Sequence, residues 1–334
     1  MVKDCVEVTP SKSHVIGQII TPDYALYHGD CIRAMDGLAD DQVHFSIFSP
    51  PFSQLYSYTD ALEDMSNVKT DAEFIEGMEF MVGHLFRLMM PGRLVAFHCM
   101  QIPAMKERDG YIGLKDFRGD LIRLFQRHGF IYHSEVLIRK DPLIEATRTK
   151  AIGLMHKQLV KDSSISRNGG PDYLVVVRKP GDNPEPITHM PSGFNRWIGH
   201  PDNAPCAQKT ADPSRNKYSH EVWQRYASPV WFDIDPSDTL QRESAREDDD
   251  SRHICPLQLT VIRRAIELWS NPGDIVLSPF AGIGSEGYVA LQEGRRFVGA
   301  ELKHSYFRQA ARNLEAAISS RSQGMLFNHD SRES

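Results

Sequence analysis

The sequence predicts an α/β fold, a mainly parallel sheet with helices on both faces, interrupted by one irregular insertion. Three observations carry this reading. Short apolar runs that read as strands alternate with stretches whose apolar residues recur three and four apart. Turns bearing glycine or proline stand between them. The alternation breaks between Asp182 and Asp250, where Pro, Asn, Ser and Asp dominate and no period holds.

Residues up to about Thr21 show no sustained period and read as an arm. Tyr24 to Asp30 reads as a short strand ending in a turn, and Cys31 to Leu38 as a turn or two of helix. Val43 to Phe48 is a buried strand that stops at Ser49-Pro50-Pro51-Phe52, because two prolines lack the N–H a central strand must donate. Asp71 opens a helix that carries Phe74, Ile75, Met78, Met81, Val82, Leu85 and Leu88 on one face and ends at Pro91-Gly92. A strand follows over Arg93 to Cys99, a helix over Phe117 to His128 and a strand over Phe130 to Ile138. After the insertion come a helix at Leu257 to Trp269, a strand at Ile275 to Leu277 and a helix from Ser285 to Leu291. A strand at Arg296 to Leu302 and a last helix from Tyr306 to Ile318 precede a polar tail expected to be mobile.

With 334 residues, 41% apolar and 25% charged, the chain can bury a full core and is neither disordered nor a disulfide scaffold. No run of 18 uncharged apolar residues occurs, so no membrane-spanning helix is expected. The first residues are too charged for a signal peptide, which makes the expected location cytoplasmic. The five cysteines include no C-x-x-C pair, and the 14 histidines form no H-E-x-x-H, so neither a disulfide framework nor a metal site is expected. The net charge of −6 argues against nonspecific coating of nucleic acid. Charge is segregated, however: Arg139 to Arg167 holds seven Lys or Arg against three acids.

Two motifs carry chemistry. The first is Ser278-Pro279-Phe280-Ala281-Gly282-Ile283-Gly284-Ser285, a strand–turn–helix whose glycines permit a tight turn beneath a helix N-terminus. A second strand follows it and ends at Glu301, 17 residues after Gly284, near the spacing at which an acid reaches a ribose hydroxyl. Together they point to a nucleoside-bearing cofactor. No Lys follows the glycines, which disfavours a phosphate loop. The second is Ser49-Pro50-Pro51-Phe52 at the end of a buried strand, where open α/β sheets bind ligands. The prolines stiffen the backbone, so that a ring can stack on a planar substrate while the Ser49 hydroxyl and the Pro50 carbonyl accept from an amino group.

The chain resembles the β-class DNA amino-methyltransferases, which act on adenine N6 or cytosine N4. Ser49-Pro50-Pro51-Phe52 is similar to their catalytic tetrapeptide, residues 278–285 to their cofactor loop, and Gly299-Ala300-Glu301 to their ribose-binding acid. His28-Gly29-Asp30-Cys31 resembles the segment framing the cofactor's adenine, and His253-Ile254-Cys255-Pro256-Leu257-Gln258 the one cradling its methionine end. The order of these motifs, catalytic first and cofactor last, is that of the β class. The resemblance implies a Rossmann-like methyltransferase sheet with S-adenosylmethionine as cofactor, bound by Asp30, Cys31, His253, Pro256, Gln258, Phe280, Gly282, Gly284, Ser285 and Glu301. It implies double-stranded DNA as partner and allows a homodimer. It also sorts the chain into an arm (1–22), a methyltransferase core (23–180 and 251–320), a target-recognition insertion (181–250) and a flexible tail (321–334). Ser278 departs from the family, standing where Asp is usual, and within the tetrapeptide Ser49 leans toward cytosine enzymes while Phe52 leans toward adenine enzymes.

For DNA contact the basic stretch offers Arg148, Lys150, Lys157, Lys161 and Arg167, suited to phosphates. The insertion offers Arg196, Lys209, Arg215 and Lys217 among side chains that read base edges, with Asn195, Asn203, Gln208, Asn216 and Gln224 leaning toward A·T-containing sites. Trp223 and Trp231 read instead as a small core of the insertion. The target must leave the stack to meet an in-line methyl donor; transfer to an exocyclic amine needs no covalent intermediate, so no cysteine is expected to act as a nucleophile, unlike in cytosine C5 chemistry. Adenine N6 is the favoured target and cytosine N4 the alternative. Two other readings stand beside these: methylation of an amine or amide in RNA or protein, and a noncatalytic DNA-binding protein on the same fold.

Overall fold

The computed structural model describes residues 15–52, 70–104, 106–149, 152–210, 212, 216–240 and 256–330. In chain order the elements begin with β1 (Gly17–Ile20), β2 (Tyr24–His28), α1 (Cys31–Asp36), β3 (Val43–Phe48), α2 (Asp71–Leu88) and β4 (Met89–Met100). Next come β5 (Ile102–Ala104), α3 (Lys106–Asp109), β6 (Gly113–Lys115), α4 (Phe117–Arg127), β7 (Ile131–Ile138), α5 (Pro142–Thr149), α6 (Gln158–Lys161) and β8 (Asp172–Arg178). The chain closes with α7 (Lys217–Tyr226), β9 (Val230–Trp231), α8 (Leu259–Trp269), β10 (Ile275–Ser278), α9 (Ser285–Gln292), β11 (Arg296–Glu301) and α10 (His304–Asp330).

Nine strands form one sheet in the order β1-β2-β11-β10-β3-β4-β8-β7-β9. The run from β2 to β4 is parallel throughout, while β1 and β8 are antiparallel to their neighbours. Parallel strands covered on both faces read as nearly continuous apolar runs, and β3 does, with Phe45, Ile47 and Phe48 fully buried. One face packs on α1, α2 and α4, the other on α8, α9 and α10. α2 shows why the sequence folds so. Thr70 caps it by accepting from Glu73 N at 3.2 Å, Asp71 and Glu73 suit the positive end of the helix, Ile75 is half-buried, and Phe74, Met78, Met81, Val82, Leu85 and Leu88 are buried. Each such side chain contributes about 1.5–3 kcal/mol.

The expected elements are present; β5, β6, α3, α5, α6, α7 and β9 come in addition, and there are four further differences. Gly17–Ile20, expected within an arm, is an edge strand paired with β2. Strand β4 begins at Met89, directly after α2, and absorbs Pro91-Gly92 in an irregularity: Val43 pairs with Met89 and Phe45 with Leu94. Asp172–Arg178 is a strand not foreseen, inserted antiparallel between β4 and β7. Finally, α10 continues through Asp330, into the stretch expected to be a loose tail.

The insertion is only partly loop-built. Phe194, Ile198, Tyr218, Val222 and Tyr226 form its own small core, packed with Trp197 and with Leu268 of α8. Arg264 of α8 fastens it. Its side chain is wholly buried, Nε donates to the Ile198 carbonyl at 2.6 Å and one terminal nitrogen pairs with Asp233. The guanidinium lies over the rings of Trp197, Tyr226 and Trp231, at 4.8, 5.3 and 5.0 Å. Trp231 is buried, but in the main core as part of β9, and Trp223 is 57% exposed, so neither belongs to the small core as expected.

Candidate active site

The sheet decides which residues meet. Strands β2, β11, β10, β3 and β4 run in one direction, so Asp30, Glu301, Ser278, Ser49 and His98 all fall at one rim. Connections leave β3 toward β4 on one side and β10 toward β11 on the other. The order therefore reverses between β3 and β10, the position where open sheets take their ligands. The tetrapeptide and the glycine loop begin on either side of that point.

In the loop, Gly282 (φ +53°) and Gly284 (φ +85°) adopt left-handed backbone. A Cβ on Gly284 would come within 3.2 Å of Ala310 on α10, whereas one on Gly282 would enter open space. Gly284 thus lets the loop lie against α10, and Gly282 leaves room above it. The Gly282 amide donates to Glu301 Oε2 at 2.8 Å, and Lys303 N donates to Oε1 at 2.8 Å. Gly29 N donates to the Glu301 carbonyl at 3.0 Å, joining the end of β2 to the end of β11. Ser285 is buried at the start of α9, and Phe280 lies 5.8 Å, ring to ring, from Phe48.

Asp30 is the N-cap of α1, its Oδ1 accepting from Arg33 N at 3.0 Å. Cys31 is buried in the core, and burial pushes its thiol well above the ordinary range, so it stays a neutral packing residue. Gln258 precedes α8, but the helix is capped by Asp238, whose Oδ2 accepts from Thr260 N at 2.8 Å. The Gln258 Oε1 and the Ser278 Oγ are buried without a hydrogen-bond partner. Two orphaned polar atoms at such a site fit a ligand that carries polar groups, as does the room over Gly282. Pro256, close before Gln258 in the chain, is half-buried, and His253 lies outside the described residues.

At the tetrapeptide, Pro50 is buried while Ser49, Pro51 and Phe52 are half-buried. The Phe52 ring packs beside Phe117, centroids 6.1 Å apart and planes tilted by 47°. Two functional candidates went unseen in the sequence. His98 Nδ1 stands 3.2 Å from Ser49 Oγ. On its other side His98 Nε2 stands 3.2 Å from Asp172 Oδ2, an ion-pair contact outside hydrogen-bond alignment. Asp172 Oδ1 in turn pairs with Lys140 Nζ at 2.5 Å. Burial alone would raise the Asp172 carboxyl, but His98 and Lys140 outweigh it and hold the group below the usual range. A polar residue at the end of an otherwise apolar strand was the available signal, in Ala96-Phe97-His98-Cys99 and in Asp172-Tyr173-Leu174-Val175.

A family profile described as DNA methylase, of the N6 and N4 methyltransferases, matches residues 43–312. The chain belongs to the N6/N4 DNA methylase family. One segment of 57 residues is 46% identical to the DNA adenine methyltransferase YhdJ of Escherichia coli, covering 17% of this chain and only 19% of that one. The solved structure of TTHA0409 from Thermus thermophilus, complexed with S-adenosylmethionine, has the same fold. Its TM-score is 0.59 at 18% identity, over 89% of this chain and 96% of that chain. PvuII DNA methyltransferase, named as cytosine-N4-specific, matches with a TM-score of 0.57 at 16% identity, over 90% and 91%.

The residues expected to touch DNA divide sharply in this methylase. Lys157 and Lys161 are exposed on the segment between β7 and β8, which leaves and re-enters the sheet at the rim of the site. Arg167, on the same segment, pairs with Glu145 at 3.5 Å. Lys217 is exposed, and Lys209 is exposed with its ammonium 5.2 Å over the Tyr218 ring. Arg196 is a correction: its guanidinium pairs with Glu293 and with Glu267 at 2.9 Å, at the ends of α9 and α8 remote from the rim, and ties the insertion to the core. Asn216 likewise caps α7 by accepting from Ser219 N at 3.1 Å and cannot also read a base. Lys150 and Arg215 lie outside the described residues, as does the side chain of Arg148. At the opposite rim His44, Glu185 and Asp274 converge. There His44 Nδ1 accepts from Ile275 N at 3.2 Å, so Nε2 carries hydrogen toward both carboxylates, and Arg93 pairs with Asp274 at 3.1 Å.

Proposed function

We propose that this N6/N4 methylase transfers a methyl group from S-adenosylmethionine to the exocyclic amine of a base flipped out of double-stranded DNA, with adenine N6 as its target. The observation that carries the reading is the convergence of Ser49-Pro50-Pro51-Phe52 and the Gly282–Gly284 loop at one rim, across the reversal between β3 and β10. Phe280, Gly282, Gly284, Ser285 and Glu301, with Asp30, Pro256 and Gln258, would hold the cofactor. When bound it supplies an electrophilic methyl on a sulfonium, so positioning carries much of the rate.

The rest belongs to the chain's own residues. Phe52, packed beside Phe117, stacks on the flipped base. The Ser49 hydroxyl and the Pro50 carbonyl accept from the amine and favour a pyramidal, more nucleophilic nitrogen. Lys157 and Lys161 neutralise phosphates, and Lys209 and Lys217 extend the contact. The purine's larger face favours adenine over Phe52. The Asn and Gln run lends less, since Asn216 is a helix cap. Ser49 itself keeps cytosine N4 as the second reading.

The test is incubation of the purified chain with methyl-labelled S-adenosylmethionine and either duplex DNA or RNA, followed by nucleoside mass spectrometry. N6-methyladenine in DNA is expected. N4-methylcytosine alone would overturn the base and leave the amino transfer standing. Label in RNA or protein and none in DNA would overturn the reading.

A further inference from the structure

We propose that His98, held between Ser49 and the Asp172–Lys140 pair, is the positioning residue that orients the Ser49 hydroxyl and takes up the proton the amine releases. The inference rests on the transfer proposed above. The Asp172 carboxylate facing Nε2 fixes hydrogen on that nitrogen, which leaves Nδ1 bare to accept from the Ser49 O–H at 3.2 Å. Ser49 then donates inward, and its lone pairs remain to accept from the target amine. Without His98 the hydroxyl could turn and present its hydrogen to the amine instead.

The step balances. The amine lone pair forms the new N–C bond, the methyl–sulfur bond breaks and leaves its pair on sulfur, and the nitrogen becomes cationic. One N–H bond then returns its pair to nitrogen. Its proton passes to Ser49 Oγ as the Ser49 proton passes to His98 Nδ1, giving an imidazolium facing Asp172, which later releases the proton to water. Contacts outside alignment before substrate binds are ordinary for such groups.

The surroundings are those of a charge relay rather than a structural histidine. From β8 the ring faces Asp172 and, through it, Lys140 from the end of β7; from β3 it faces Ser49. Arg118 and Glu135 pair with each other beyond Cys99, on the other face of the sheet.

The test compares wild type with His98→Asn and Asp172→Asn, reading kcat, KM for DNA, the pH profile of transfer, and S-adenosylhomocysteine binding by calorimetry. Asn keeps an acceptor for the Ser49 hydroxyl but cannot take a proton. His98→Asn is expected to bind S-adenosylhomocysteine and DNA as wild type does, to lose about 10²-fold in kcat, at the low end for general-base removal, and to lose the acid limb of the profile. Asp172→Asn is expected to move that limb to lower pH, because the imidazolium loses its carboxylate. It decides the matter should His98→Asn fail to bind the cofactor product. Wild-type kcat and an unchanged limb in His98→Asn, or an unmoved limb in Asp172→Asn, would overturn the relay alone. Absence of transfer by the wild-type protein would overturn the proposed function and the relay with it.

Discussion

The Gly282 amide donates to Glu301 Oε2 at 2.8 Å, so the loop after β10 and the acid closing β11 form one hydrogen-bonded unit. The acid therefore holds the glycine loop as well as standing where a ribose hydroxyl is expected.

Glu301→Ala is expected to weaken S-adenosylmethionine binding by about 1–3 kcal/mol, the range for hydrogen bonds to a charged group. Glu301→Gln retains an acceptor for Gly282 and should lose less. Calorimetry of both variants checks this, and equal affinity across all three proteins would remove Glu301 from the site.

The helices and parallel strands were legible because amphipathic spacing and turn residues are local. The tetrapeptide and the glycine loop were legible for the same reason, each being a contiguous motif. The Ser49–His98–Asp172 alignment was not, since three strand ends must be brought side by side and no spacing along the chain encodes that. Arg196 misled for a related reason. A basic residue among aromatics looks like a base reader, and only the packing of the insertion against α8 and α9 reveals Glu267 and Glu293 as its partners. Strand β8 escaped because an apolar run beside a basic loop gives no sign of its antiparallel place between β4 and β7.

Lys157→Ala and Lys161→Ala should each reduce the slope of log affinity for DNA against log salt by roughly one unit, with cofactor binding unchanged. Arg196→Ala should leave that slope alone and lower stability instead. Salt titrations of DNA binding distinguish these outcomes. A wild-type slope in both lysine variants would mean that the exposed face is merely solvated.

Arg264 and Asp233 are a buried pair wrapped by Trp197, Tyr226 and Trp231. Arg264→Ala leaves a buried carboxylate without its counter-charge and should cost about 3–5 kcal/mol. Adding Asp233→Asn should recover part of the loss, since the stranded charge is then removed. Urea unfolding of the single and double variants tests this. Simple additivity of the two substitutions would show that the pair is not coupled.

Glu286, buried on the first turn of α9, has its carboxyl raised to about 8. Burial is the main cause; its own backbone N–H opposes, and the charge on Glu301 reinforces the rise. Between the ordinary value of 4.5 and about 8 the folded chain holds a proton that the unfolded chain has released. The contribution to stability is thus fully present below the unfolded value and is lost as pH rises through the folded one. Glu286→Gln keeps the shape without the titration, and at about pH 8.5 it should be more stable than wild type by a few kcal/mol, at about 1.4 kcal/mol per unit of pKa displacement. The two proteins should converge near pH 4. Melting temperatures followed across that window should fall more steeply for wild type. Parallel curves would mean that Glu286 ionises in the folded chain as readily as in the unfolded one.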